Sequence, residues 1–283
     1  MRFDLKELLK EADRRKYAIP AFNFSDTWEL KAIVEAADEM NAPVIAASNM
    51  QIANTWGAEL LGSICGCYTR QARTPIVFHL DHSKETKLCK SLLDNGYTSV
   101  MFDGSALPLD ENIAGTKDVV KYAQSIGACV EAEIGHIKGN NEESNTQDEE
   151  DFLASTADAV RMVEESGCDS LAIGIGNAHG FYREDPKLHF ERLAEINAAV
   201  SVPLVLHGGT GIPESDIQKA IQNGINKVNV GTELHFTYLN ALQKLLSEGI
   251  GKPNIVNFME PVVESIKAPV KKWIQICMAE NKA

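Results

Sequence analysis

Eight short apolar runs punctuate the chain, at residues 18–24, 43–48, 75–80, 99–102, 128–134, 170–175, 203–206 and 227–230. They are rich in Val, Ile, Leu and Ala and do not alternate strictly with polar residues, which is how parallel strands covered on both faces read. Between them, apolar positions recur at helical spacing, as over 28–40, 86–94, 112–125, 154–166 and 190–200. Gly or Asn closes such stretches at Asn41, Gly96, Gly127, Gly167 and Gly224, the residues that most readily take the left-handed conformation at a helix end. Eight strand–helix alternations predict a closed (β/α)8 TIM barrel in preference to an open doubly wound sheet, which leaves two edges unpaired. One barrel of roughly 250 residues absorbs most of the 283 residues, so a single domain over 1–283 is expected.

Two regions depart from this rhythm. Residues 138–151 hold six acidic side chains, one lysine and no apolar side chain; such a segment cannot bury itself and is expected to form a mobile acidic loop after the fifth strand. The tail, about 252–283, carries another helical pattern at 261–278, expected to cap the barrel or to meet a neighbouring subunit.

Composition narrows the function classes. A net charge of −13 argues against nucleic acid as a partner, because a phosphate backbone needs a basic face. No apolar run approaches the roughly 20 residues of a membrane span, and the first 17 residues lack the apolar core of a signal peptide. The six cysteines form no C-x-x-C pair and no evident disulfide framework, which fits reduced thiols and a cytoplasmic location. Cys65 and Cys67 read as small residues packed on a helix.

Barrel enzymes carry their chemistry at the carboxyl ends of the strands, and four of the seven histidines fall at strands three, six and seven: His79, His82, His179 and His207. Imidazoles from several strands can converge on a metal ion while leaving a position open for substrate. His82, His179 and His207 each lie just beyond the predicted strand and form the expected trio; His79 falls inside strand three and reads as a packed or hydrogen-bonded residue. Strands seven and eight end in Gly208-Gly209-Thr210-Gly211 and Asn229-Val230-Gly231-Thr232, where barrels often bind phosphate through backbone N–H groups and hydroxyls. An acidic chain can therefore still take a small anionic substrate. Lys227, within a predicted strand, reads as an internal ion-pair partner of barrel carboxylates rather than a Schiff-base lysine.

Five ordered blocks, Asp81-His82, Met101-Phe102-Asp103-Gly104-Ser105, Val130-Glu131-Ala132-Glu133, Gly176-Asn177-Ala178-His179-Gly180 and Leu206-His207-Gly208-Gly209, resemble the class II ketose-bisphosphate aldolases, with the tagatose-bisphosphate branch nearest. The resemblance implies Zn2+ on His82, His179 and His207, with Asp103 and Glu133 as ligands at an alternative metal position, and Asp81 as acid/base at the substrate's C4 oxygen. It implies that Gly180, Gly208, Gly209, Thr210, Asn229 and Thr232 surround a dihydroxyacetone-phosphate half, with a monovalent cation (Na+ or K+) beside the phosphate, and that Gly231 lies near the sugar hydroxyls. It further implies a sugar-phosphate substrate and a homodimer or homotetramer. The chemistry agrees: cleaving a ketose leaves a carbanion beside a carbonyl, which a Lewis acid stabilises as an ene-diolate. Three departures stand out. Asn141 matches the position of the family's proton-transferring loop glutamate, so Glu142 is the expected substitute. Gly231 stands where fructose-bisphosphate enzymes often carry Asp. Lys271 takes the place of a C-terminal arginine for the distal phosphate. Rival readings are a metal-dependent barrel hydrolase and a catalytically weak sugar-phosphate-binding relative.

Overall fold

A computed structural model describes residues 3–135, 137, 153–180, 182, 186–249 and 254–283. The expected acidic loop at 138–151, and Glu142 within it, lie outside the described residues. Eight parallel strands close into a barrel in chain order: β1 (Ile19–Asn23), β2 (Val44–Asn49), β3 (Ile76–Ser83), β4 (Ser99–Phe102), β5 (Cys129–Ile134), β6 (Ser170–Ile173), β7 (Leu204–Leu206) and β8 (Ile225–Val230). Closure is made by β1 pairing with β8, with Ile19 opposite Lys227 and Phe22 opposite Val230. The predicted TIM barrel is the observed fold.

Around it lie α2 (Thr27–Met40), α3 (Met50–Trp56), α4 (Ala58–Gln71), α5 (Thr86–Asp94), α6 (Leu109–Ser125), α7 (Thr156–Ser166), α8 (Phe190–Ala199), α9 (Glu214–Gln222), α10 (Thr232–Ser247) and α11 (Ile255–Ile276). Several helix ends follow the predicted chemistry. Asn41 ends α2 and Gly167 ends α7, both in the left-handed region, while Asp26 accepts the Trp28 and Glu29 N–H groups at the start of α2. Among the described residues, no helix is long and apolar enough to cross a membrane.

The amino-terminal helix α1 (Leu5–Arg15) buries Leu5, Leu9 and Ala12 and packs near β8. Lys6 pairs with Asp169 at 2.7 Å, just before β6 begins, so α1 lies at the end of the barrel opposite the catalytic rim. Rather than capping the barrel, α11 packs along its side against α2, α10 and β1, burying Val262, Ile266, Val270, Trp273 and Ile274. The side of the barrel needs a covering helix there, and α10 buries only Leu234 among its own residues.

Side chains two apart on a strand share a face, and here the shared inward face is polar. His79 and Asp81 on β3, Glu131 and Glu133 on β5, and Lys227 and Asn229 on β8 are all buried. The lower layer is internally paired: His79 Nδ1 meets Ser99 Oγ at 2.7 Å, and Lys227 Nζ donates to Glu131 Oε2 at 2.7 Å. Lys227 is thus the ion-pair partner the sequence suggests. Of the two helix cysteines, Cys65 is packed and Cys67 is exposed.

Candidate active site

One irregularity in β3 brings the site together. Between Leu80 and Ser83, β3 advances three residues while β4 advances two, from Val100 to Phe102. The extra residue is His82, which takes a left-handed backbone with φ 47°, a conformation uncommon outside glycine. His82 therefore lies within the strand, not beyond it as the sequence suggests. The bulge breaks the alternation, so that Asp81 and His82, neighbours in sequence, both reach the barrel mouth.

The three expected histidines converge. His82 Nε2 lies 3.1 Å from His179 Nε2 and 2.8 Å from His207 Nδ1, with ring centroids 4.6–6.0 Å apart. Carboxylates set the rings' outer nitrogens. His82 Nδ1 stands 2.9 Å from Asp103 Oδ2 and 3.9 Å from Glu133 Oε2. His207 Nε2 stands 2.9 Å from Glu131 Oε1, with both side chains fully buried. A carboxylate accepts, so those outer nitrogens carry protons; a neutral ring then keeps its lone pair on the inner nitrogen, and a charge on His82 places a second proton on its Nε2, toward the other two rings.

The electrostatics agree with this arrangement. Burial opposes a charge on His82, but Asp81, Asp103 and Glu133 outweigh it and push its pKa up to about 10. Burial, then His82 and His207, push His179 down to about 3; burial and His82 lower His207 despite Glu131. The carboxylates thus favour one positive charge among three rings that cannot all be protonated. Burial raises Glu133 to about 8, with Asp103 adding to the rise and His82 opposing it, and its Oε2 has no hydrogen-bond partner among the described residues. Among the described residues, two groups have ligand atoms mutually within 4.8 Å: His82, His179 and His207, and His82, Asp103 and Glu133. Imidazole and carboxylate donors are those that divalent transition metals take, so the residues present fit a metal ion.

Asp81 is enclosed beside this cluster. Asn23 Nδ2 donates to its Oδ2 at 2.8 Å and Asn229 Nδ2 to its Oδ1 at 3.0 Å. Burial would raise its pKa, but His82, His207 and Lys227 hold it well below the usual carboxylate range. Asn229 Nδ2 also stands 3.4 Å from His207 Nδ1, and its Oδ1 has no partner among the described residues.

The glycine-rich turn after β7 joins the same rim. Gly209 N–H donates to the Asn229 carbonyl at 3.0 Å, linking it to β8. Thr210 is buried, and its Oγ1 lies 3.4 Å from the Glu233 N–H. Gly231 precedes Thr232 at the start of α10 and supplies no capping side chain; a Cβ there would lie 2.9 Å from Asn23 Oδ1. Gly180 has φ 89° in the loop after β6. Lys271 does not join them. It pairs with Glu39, next to the last residue of α2, a helix that runs some 20 Å back from the rim. Within this chain the glutamate of α2 shares the charge of Lys271.

Sequence reasoning missed Asn23, although an Asn closing an apolar run at the rim is the same signal that marks the histidines. It also missed Glu131 as the partner of His207, and Asn177 and Tyr182, which hold the carbonyls of His207 and Gly208.

A parallel eight-stranded barrel with ligand-type side chains gathered at its carboxyl rim defines a barrel enzyme. The model of the family described as fructose-bisphosphate aldolase class-II matches residues 3–282. The chain belongs to that family and is an aldolase. The YdjI aldolase from Escherichia coli K12 has a similar solved structure, 31% identical over 100% of both chains, with a TM-score of 0.88. The fructose-bisphosphate aldolase (Fba) from Campylobacter jejuni is 21% identical over 99% of this chain and 95% of that one, with a TM-score of 0.84; at that identity the likeness concerns the fold.

Proposed function

We propose that this aldolase reversibly cleaves a ketose 1-phosphate or 1,6-bisphosphate, of the tagatose- or fructose-bisphosphate type. The products are dihydroxyacetone phosphate and an aldehyde such as glyceraldehyde 3-phosphate, and Zn2+ is held by His82, His179 and His207. The observation that carries this reading is the convergence of three imidazole nitrogens within about one ion's reach, backed by Asp103, Glu131 and Glu133. Asp103 and Glu133, sharing His82, offer a second position for the ion.

A divalent ion at such a site supplies Lewis-acid polarisation of a ketone oxygen. The chain's own residues do the rest. Asp81, kept ionised and oriented by the amides of Asn23 and Asn229, accepts the C4 hydroxyl proton as the carbon–carbon bond breaks. The turn of Gly208, Gly209 and Thr210, with Gly180 and with Thr232 opening α10, offers a phosphate its hydroxyls and the backbone N–H groups not already used, the Gly209 N–H being held by the Asn229 carbonyl. A monovalent cation, Na+ or K+, accompanies that phosphate. Gly231 leaves the neighbourhood of Asn23 free of a further side chain, which widens the sugar pocket. Glu142 is the proposed proton carrier on the dihydroxyacetone half.

The test is a panel of ketose phosphates, with and without chelator, coupled to detection of dihydroxyacetone phosphate. Turnover of one member, abolished by chelation and restored by Zn2+, is expected. Turnover indifferent to chelation, or none that releases dihydroxyacetone phosphate, would contradict the reading.

We also propose a homodimer or homotetramer, supported by exposed Leu239 and Leu246 on α10 and Ile255 and Val256 opening α11.

A further inference from the structure

Two side chains of the loop after β6 are engaged with the loop after β7. Asn177 is buried; its Oδ1 accepts the Ile175 N–H at 2.8 Å and its Nδ2 donates to the His207 carbonyl at 3.0 Å. The Tyr182 hydroxyl accepts the Ala178 N–H at 2.8 Å and donates to the Gly208 carbonyl at 3.1 Å. Two successive carbonyls of one loop are thereby held by side chains of the other. The backbones also touch: a Cβ at Gly208 would lie 1.9 Å from the Ala178 carbonyl oxygen, and one at Gly211 would lie 3.0 Å from the Tyr182 ring.

The sheet itself cannot supply this registration. Pairing of β6 with β7 ends at Ala172 opposite Val205. His207 stands two residues beyond the end of that pairing (205 to 207), but His179 stands seven beyond it (172 to 179). Among the described residues, the hydrogen-bonding neighbour of the His179 ring is His82, so the ring's position follows from where its backbone is held. A metal site tolerates only about 0.5 Å of error in its ligands.

We propose that Asn177 and Tyr182 are positioning residues, a latch that registers His179 against His207 and so assembles the imidazole trio. The inference rests on the reading that this trio holds a divalent cation. The latch acts before any ion or substrate arrives, because its four hydrogen bonds lie within the protein. Tyr182 serves both loops through one oxygen, since its phenol accepts from Ala178 while donating to Gly208. Phenylalanine at this position keeps the ring against Gly211 and loses both bonds.

The experiment uses the full chain, depleted of metal, as wild type, Tyr182→Phe and Asn177→Ala. Zn2+ affinity is measured by competition with a chromogenic chelator, and denaturant unfolding is measured on the same metal-free samples. For Tyr182→Phe the latch requires Zn2+ binding weaker by about tenfold, the lower end of what outer-sphere partners control, with an unchanged metal-free unfolding midpoint. Asn177→Ala is expected to weaken Zn2+ binding at least as much. Wild-type Zn2+ affinity in Tyr182→Phe overturns the latch, as does a loss in both variants that merely follows a lowered metal-free stability. A wild-type chain that takes up no Zn2+ overturns the metal reading itself and the latch with it. Tight wild-type binding matched by both variants overturns the latch alone.

Discussion

Glu131 Oε1 lies 2.9 Å from His207 Nε2, and neither side chain is exposed to solvent. The other oxygen of the same carboxylate accepts from Lys227 Nζ at 2.7 Å. Burial would neutralise Glu131, but Lys227 and the hydrogen bond from His207 hold its pKa well below the usual range. A lysine at the barrel axis therefore keeps a carboxylate charged, and the carboxylate fixes which nitrogen of His207 faces His82. Changing Glu131 to Gln should weaken Zn2+ binding by about 10- to 100-fold, measured by chelator competition on the metal-free chain. Unchanged affinity would deny Glu131 this role.

Lys227→Met should act on folding more than on chemistry. Removing one partner of a fully buried pair leaves an uncompensated charge and costs about 3–5 kcal/mol. Urea unfolding of the metal-free protein checks this, and a loss below about 1 kcal/mol would mean that Glu131 finds another partner.

Asp81→Asn tests the proton acceptor. The substitution keeps the size of the side chain while removing its basicity, so kcat for the cleaved ketose phosphate should fall about 10²- to 10⁴-fold. Zn2+ content should stay at the wild-type level. A kcat near wild type would move the proton transfer to another group.

Gly208→Ala tests the meeting of the two rim loops. The residue has φ 67° and an added Cβ would strike the Ala178 carbonyl. A loss of about 1–3 kcal/mol in stability is expected from backbone strain of this kind, together with weakened phosphate binding. Calorimetry and phosphate titration read the two effects separately.

His235 on α10 gives a pH signature away from the metal-type side chains. Its Nδ1 lies 2.8 Å from Glu29 Oε1, and Glu29 is buried at the start of α2, where it also accepts the Ser25 N–H. Burial disfavours the imidazolium, but Glu29 and then Asp26 outweigh it and raise the pKa of His235. A raised folded pKa contributes stability that is fully present below the unfolded value near 6.5 and is lost as pH climbs through the folded value. His235→Gln should therefore destabilise most below pH 6.5, with the difference from wild type shrinking toward pH 9. Denaturant midpoints at several pH values check the sign; a difference that grows with pH would reverse the assignment.

Strands buried on both faces are legible in sequence because they need only be apolar, which is why β4 matches its predicted bounds and the other seven strands differ from theirs by only a few residues. The histidine trio was legible because strand ends are where a barrel can display polar groups. What escaped notice depends on partners far apart in the chain. Glu131 meets His207 across 76 positions, and Lys271 meets Glu39 across 232; no local pattern announces either. The end of β3 escaped for another reason: Asp81-His82-Ser83 is polar enough to read as loop, although His79 and Asp81 already carry the two-residue period of an inward face. Glu131 with Glu133, and Lys227 with Asn229, repeat that period and mark the same interior.

The additional residue at His82 has a consequence for anyone moving this rim into a different barrel. Copying the histidines onto matching strand ends would fail, because in an unbulged strand Asp81 and His82 would point to opposite sides. The transplant must include the one-residue insertion and a sequence that accepts a left-handed backbone at that point. Deleting a single neighbour would turn the imidazole outward into the helical layer, leaving the other two rings without their shared companion.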